Sequence, residues 1–140
     1  MEDRYLFKAK RIDNGEWVTG QYVKGLDMYG KEVHLIFEPT TIFYSSGETD
    51  GWSEIDQSTI CQCTGLKDKN GNLIWENDIV GYWDTYSTEN GQAEMDCIGK
   101  VVWDDETLSF QVTNRLSAES YEVLGDCSVI GNIFDNPELL

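Results

Sequence analysis

The chain places its apolar residues at every second position and breaks the alternation with Asn-Gly pairs. In "YLFKAKRIDNGEWVTG", residues 5–20, Tyr5, Phe7 and Ala9 alternate with Leu6, Lys8 and Lys10 ahead of Asp13-Asn14-Gly15. A period of two sends successive side chains to opposite faces of an extended strand; an amphipathic helix needs a period near 3.6. Asn-Gly readily takes the positive φ values of a type I′ turn, so residues 4–23 predict a β-hairpin, with Trp17 to Val23 returning.

The same pattern recurs downstream. Val33, Leu35 and Phe37 mark a short β run over residues 32–38. In "TGLKDKNGNLIWENDIVGYW", residues 64–83, a strand from Ile60 to Thr64 bends at Gly65 and turns at Asn70-Gly71. It returns through Leu73–Trp75 and Ile79–Trp83. Gly99–Trp103 and Leu108–Val112 read as strands bridged by residues 104–107, and Cys127–Phe134 as the last strand. Ser117–Leu124 predicts one short helix, with Ser117 as cap and Gly125 as stop. Asn136-Pro137 resembles a helix start. Residues 84–97 read as a polar excursion. Residues 39–58, "PTTIFYSSGETDGWSEIDQS", read as a long loop rich in Pro, Gly, Ser and acids. Its aromatics Phe43, Tyr44 and Trp52 imply packing against the chain's own core or a partner, which makes them the candidate partner surface.

Charge narrows the functions. Ten basic residues face 26 acidic ones over 140 residues, a formal net charge of −16. Residues 1–63 carry 6 − 11 = −5 and residues 64–140 carry 4 − 15 = −11. Such a field repels phosphate backbones, so direct DNA or RNA binding is not expected. An acidic surface can instead imitate a phosphate backbone in another protein's basic groove, provided its carboxylates stand in rows. No apolar run approaches the ~20 residues of a membrane span. The N-terminus lacks the pattern of a secretion signal, so a cytoplasmic location and no membrane partner are expected.

Candidate chemistry is sparse. Cys61-Gln-Cys63 lacks zinc-ligand spacing, and Cys97 and Cys127 have no near partner; all four read as small buried hydrophobes. Counting a calcium loop from Asp68 puts Gly71 at position 4 and Ile79 where Glu is required. Glu76-Asn77-Asp78 reads as bend chemistry. Asp104-Asp105-Glu106 suits a hairpin tip, and a hydrolase using Asp84, Asp104 and Asp105 with a metal is the weakest reading. His34, the lone histidine, alternates with Val33 and Leu35 and is expected to face solvent. No Gly-rich phosphate loop or nucleophile motif occurs. No catalytic, cofactor or metal residues are assigned, and the chain is expected not to be an enzyme.

"CTGLKDKNGNLIWENDIV" at 63–80, "GKVVWDDETLSFQV" at 99–112, "VIGNIFDNPELL" at 129–140 and the opening segment at 5–20 resemble the YopX family of phage and prophage proteins. The resemblance implies an all-β protein: an N-terminal β segment with a long loop over 1–58, and a small SH3-like barrel over 59–140. It also implies a phage or prophage origin in a bacterial host, and a homo-oligomer; seventeen aromatics in a small loop-rich chain point the same way. It implies no activity and supplies no catalytic residues. Gly65, Gly71, Asp78, Gly99 and Gly131 are expected at turns and bends, and Trp75, Ile79, Val101 and Ile133 in the core. The leading expectation is a non-enzymatic accessory protein that binds a host or phage protein. The acidic mimic is the alternative.

Overall fold

A computed structural model describes residues 2–113, 118–119 and 127–140. The chain divides into two units, Glu2–Cys63 and Thr64–Leu140. The division lies past the 58/59 boundary expected from the sequence and falls inside a strand, β5 (Cys61–Lys67). Among the described residues no helix is long and apolar enough to cross a membrane.

In the first unit, β1 (Phe7–Lys10), β2 (Trp17–Leu26), β3 (Glu32–Phe43) and β4 (Thr49–Glu54) join the start of β5 in the order β4-β3-β2-β1-β5. Neighbouring strands are antiparallel. One face builds the core: Ala9, Ile36 and Ile55 are buried, with Phe7, Val18, Tyr22 and Ile60 packed against them. Removing each such isoleucine from water contributes about 1.5–3 kcal/mol. A short 3-10 turn, Gln57–Thr59, follows, and its N-cap Asp56 accepts from the Ser58 amide.

Residues 39–58 are not a long loop. β3 runs on to Phe43 and β4 returns from Thr49, so most of the segment is a hairpin. Its loop-like composition serves the ladder. The register slips between Phe37 and Ile42, which gives Pro39 a place where its missing N–H breaks no regular ladder bond. The Thr41 hydroxyl spans the slip, 2.7 Å from the Glu38 carbonyl and 3.0 Å from that of Gly51.

Three hairpin turns share one design. Gly30 N–H donates to the Asp27 carbonyl while Asp27 N–H donates to Lys31; Tyr44, Gly47 and Glu48 repeat this, as do Asp68, Gly71 and Asn72. Gly30, Gly47 and Gly71 have φ of 79°, 92° and 84°. This is a type I turn closed by a glycine bulge. Asn14 and Asn70 are absent from the positive-φ residues. The type I′ geometry expected at Asn14-Gly15 therefore does not form.

In the second unit the end of β5 pairs with β6 (Leu73–Trp75). A separate sheet has the order β10-β9-β8-β7-β11. Its strands are β7 (Asp78–Thr88), β8 (Gly91–Asp104), β9 (Ser109–Thr113), β10 (Ala118–Glu119) and β11 (Ser128–Asn132). The sheets are antiparallel and not closed: where an SH3-like barrel was expected, the strand order ends at β10 and β11. The expected polar excursion at 84–97 is instead a long hairpin, paired from Ile79↔Lys100 out to Thr88↔Gly91. Of the expected helix at 117–124, only Ala118 and Glu119 are described, and they pair with β9; the rest lies outside the described residues.

The core here holds Ile74, Val80, Tyr82, Cys97, Val101, Phe110, Val112 and Cys127. Trp75 and Ile79 are also buried, while Ile133 is only half-buried. Gly99 sits within β8, not at a turn, because a Cβ there would meet the Thr113 carbonyl at 2.8 Å. Asn136 makes no side-chain cap bond to the 3-10 turn at Pro137–Leu139; its Oδ1 accepts from the Asn132 amide at 3.2 Å instead.

Candidate functional site

The β3–β4 hairpin carries the exposed aromatic residues singled out by the sequence. Phe37 and Trp52 are paired across the two strands, so they share a sheet face, opposite the one that buries Ile36. Leu35 and Val23 fall on the same face by register. Phe43 follows the slip, and its ring meets that of Phe37 edge-on, with centroids 6.1 Å apart. Trp52 is 46% exposed, Phe43 68% and Tyr44 48%. Phe37, Phe43 and Trp52 thus lie together, while the exposed Ile42 and Tyr44 flank Phe43 in sequence at the opposite parity. Isolated apolar residues on a surface are ordinary; a contiguous aromatic patch marks an interaction site more often.

The core side of the same strands holds a polar chain that the sequence reading missed. His34 does not face solvent: its side chain is only 13% exposed. Val33 and Leu35 lie toward the outer face, and His34 shares the parity of the buried Ile36. The Tyr22 hydroxyl lies 2.5 Å from His34 Nδ1, and His34 Nε2 lies 2.8 Å from Glu32. This fits the neutral tautomer protonated on Nε2, which donates to Glu32 while Nδ1 accepts from the tyrosine. Glu32 also receives Lys24 at 3.5 Å. The parity of Ile36 is the sequence signal that pointed to this placement.

Four acids of the second unit, Asp68, Asp78, Asp104 and Asp105, serve turns and bends. Asp68 Oδ1 accepts from the Asn70 and Asn72 amides at 2.9 and 2.8 Å, and Oδ2 from the distant Val129 amide at 2.9 Å. Burial pushes the Asp68 carboxyl up, but these amides, led by Val129, outweigh it and hold it below the usual carboxylate range. Asp78 is buried and accepts from the Trp75 amide at 2.8 Å. Asn77 beside it adopts φ of 71°, which an asparagine tolerates in a tight bend. At the β8–β9 tip, Asp104 accepts from the Glu106 amide and Asp105 from the Trp103 indole N–H at 2.7 Å. The side chain of Asp84 lies outside the described residues. Among the described residues no three His, Cys, Asp or Glu side chains are grouped to hold a metal ion.

Comparison with known proteins completes the picture. A family model described as YopX protein matches residues 6–140, nearly the whole chain and both units. The chain belongs to the YopX family. No curated protein matches it significantly. In this YopX chain the Thr64–Val80 run that carries the resemblance also carries both inward-turned carboxylates, Asp68 and Asp78. Gly65 and Gly71 within it have φ of 81° and 84°. The four cysteines of the YopX chain are buried; Cys61 and Cys63 lie two apart on one strand face.

Proposed function

We propose that this chain is a non-enzymatic accessory protein of a temperate phage or prophage, acting in the bacterial cytoplasm by binding another protein. The binding surface is the β3–β4 hairpin, with Phe43, Tyr44 and Trp52 at its centre. The observation that carries the reading is the exposure of these three rings, 68%, 48% and 46%, with Phe43 packed edge-on against Phe37, the cross-strand partner of Trp52. Tyr and Trp dominate the energetics of protein interfaces because they present large rigid surfaces with a polar tip. A second copy of the chain is one candidate occupant of the patch, and a host or phage protein is the other. The opposing fields of two chains at −16 disfavour self-association at low salt.

The test uses two baits, the full chain and its Phe43→Ser/Trp52→Ser variant, against a bacterial host lysate, with circular dichroism to check that both are folded. A protein captured in stoichiometric amount by the first and lost by the second supports the reading. Identical captures with both baits count against it. Light scattering of the same pair reports self-association.

A further inference from the structure

We propose that the pocket beside Phe43 receives the guanidinium or ammonium side chain of a basic segment on the partner protein. This rests on the protein-binding reading above and names the chemistry of its partner. The pocket has a volume of about 290 Å3, lies wholly within the first unit, and is lined by Tyr5, Phe37 and Phe43 together with Gln21 and Glu38. The Phe37 and Phe43 planes meet at 67°, making an aromatic corner. Gly20 also lines the pocket, and a Cβ there would lie 2.9 Å from the Glu38 Cα. Its lack of a side chain lets the β3 backbone cross close over β2 and brings the consecutive residues Phe37 and Glu38 into one lining.

Aromatic faces attract cations through the ring quadrupole, and a carboxylate beside them supplies the full counter-charge. The Glu38 carboxylate makes no hydrogen bond or ion pair among the described residues; it is the backbone carbonyl of this residue that accepts from Thr41. Arg11 feels its charge but is held by Asp13 through two bonds of 3.0 and 2.8 Å. An apolar side chain entering the pocket would desolvate Glu38 without replacing its water, and an acidic one would be repelled. A basic one satisfies it. The net charge of −16 acts in the same direction at long range by steering basic segments toward the chain.

The test is calorimetry with a short peptide alternating Arg and Ala, and with its citrulline counterpart, which keeps the shape and loses the charge. The Arg peptide binds, and the citrulline peptide binds at least about tenfold more weakly. Glu38→Gln and Phe43→Leu each weaken the Arg peptide by about tenfold, while Glu89→Gln, an equal loss of charge in the second unit, changes affinity by less than about twofold. Absence of binding, equal binding of both peptides, or equal effects of Glu38→Gln and Glu89→Gln would overturn the assignment. A lysate partner lost with Trp52→Ser but indifferent to Glu38→Gln would overturn it too, while leaving the protein-binding reading in place.

Discussion

The carboxylate of Asp68 accepts a hydrogen bond from the amide of Val129 at 2.9 Å, tying the β5–β6 turn to β11 across 61 residues of chain. Asp27 shows what that link adds. Its Oδ1 accepts from the Tyr29 and Lys31 amides at 2.8 and 2.9 Å, the local arrangement that Asp68 makes with Asn70 and Asn72. Asp68 is 5% exposed and its three amide bonds are part-buried, so its removal strands partly shielded amides, whereas the amides around Asp27 are reached by water. Asp68→Ala is therefore expected to destabilise the chain by about 2–4 kcal/mol and Asp27→Ala by about 1 kcal/mol or less. Urea unfolding of the two variants measures the difference. Equal costs would mean that the Val129 bond contributes nothing.

The same carboxylate gives stability an acid limb. The folded-state pKa of Asp68 is depressed, so the native state holds the proton less readily than the unfolded chain, whose value is about 3.9. Its contribution is complete above that value and is lost as pH falls through the folded value. Asp13 and Asp56 shift in the same direction, but both are exposed and screened by solvent. Asp68→Asn should flatten the decline in stability below about pH 4, while Asp13→Asn leaves most of it in place. Thermal midpoints taken across that range compare the curves.

Two glycines on β2 form a matched pair. A Cβ on Gly20 would collide with the Phe37 carbonyl oxygen and lie 2.7 Å from its carbon, all backbone that cannot rotate away. Around Gly25 nothing lies within 4 Å, and its φ is not positive. Gly20→Ala is expected to cost about 3 kcal/mol or to prevent the first unit from folding. Gly25→Ala is expected to stabilise by about 0.5 kcal/mol, by narrowing the unfolded ensemble. Comparable midpoints for the two variants would show that β3 does not cross as closely as described.

Much of this fold is written in local alternation. Phe7, Ala9, Trp17 and Ile79 fall in strands because period-two patterning and flanking turn residues act over a few positions. What escaped depends on distant partners. Whether His34 or Leu35 faces the core is decided by where Ala9 and Ile55 lie, and three apolar residues on the opposite parity concealed it. Pro39 and Gly51 are loop signals in isolation; they belong to a hairpin because a register slip accommodates both. Asn-Gly marked the position of the turns correctly, yet the turn type follows from loop length, and the positive φ falls on Gly15 and Gly71, leaving Asn14 and Asn70 on the ordinary side. The rings of Phe43, Tyr44 and Trp52 were visible as an anomaly in a polar stretch. The pocket beside Phe43 was not, since Tyr5, Gly20 and Glu38 meet only when β2 and β3 are paired.

Tyr22 and His34 should behave as one unit. Their rings stack at an 11° interplanar angle, and the hydroxyl reaches Nδ1 directly. Tyr22→Phe removes the donor and leaves Nδ1 without it in a half-buried site; His34→Leu leaves the hydroxyl without its acceptor. Once one partner is gone, deleting the other removes no further hydrogen bond. The double variant is therefore expected to cost less than the sum of the singles, with a coupling of about 1 kcal/mol. Because the Phe7–Tyr22 ring contact, with centroids 5.7 Å apart, survives in Tyr22→Phe, the cycle isolates the polar bond from the packing. Strict additivity in denaturant unfolding would show that the hydroxyl and the imidazole each find water instead, and that this polar chain does not bind β2 to β3.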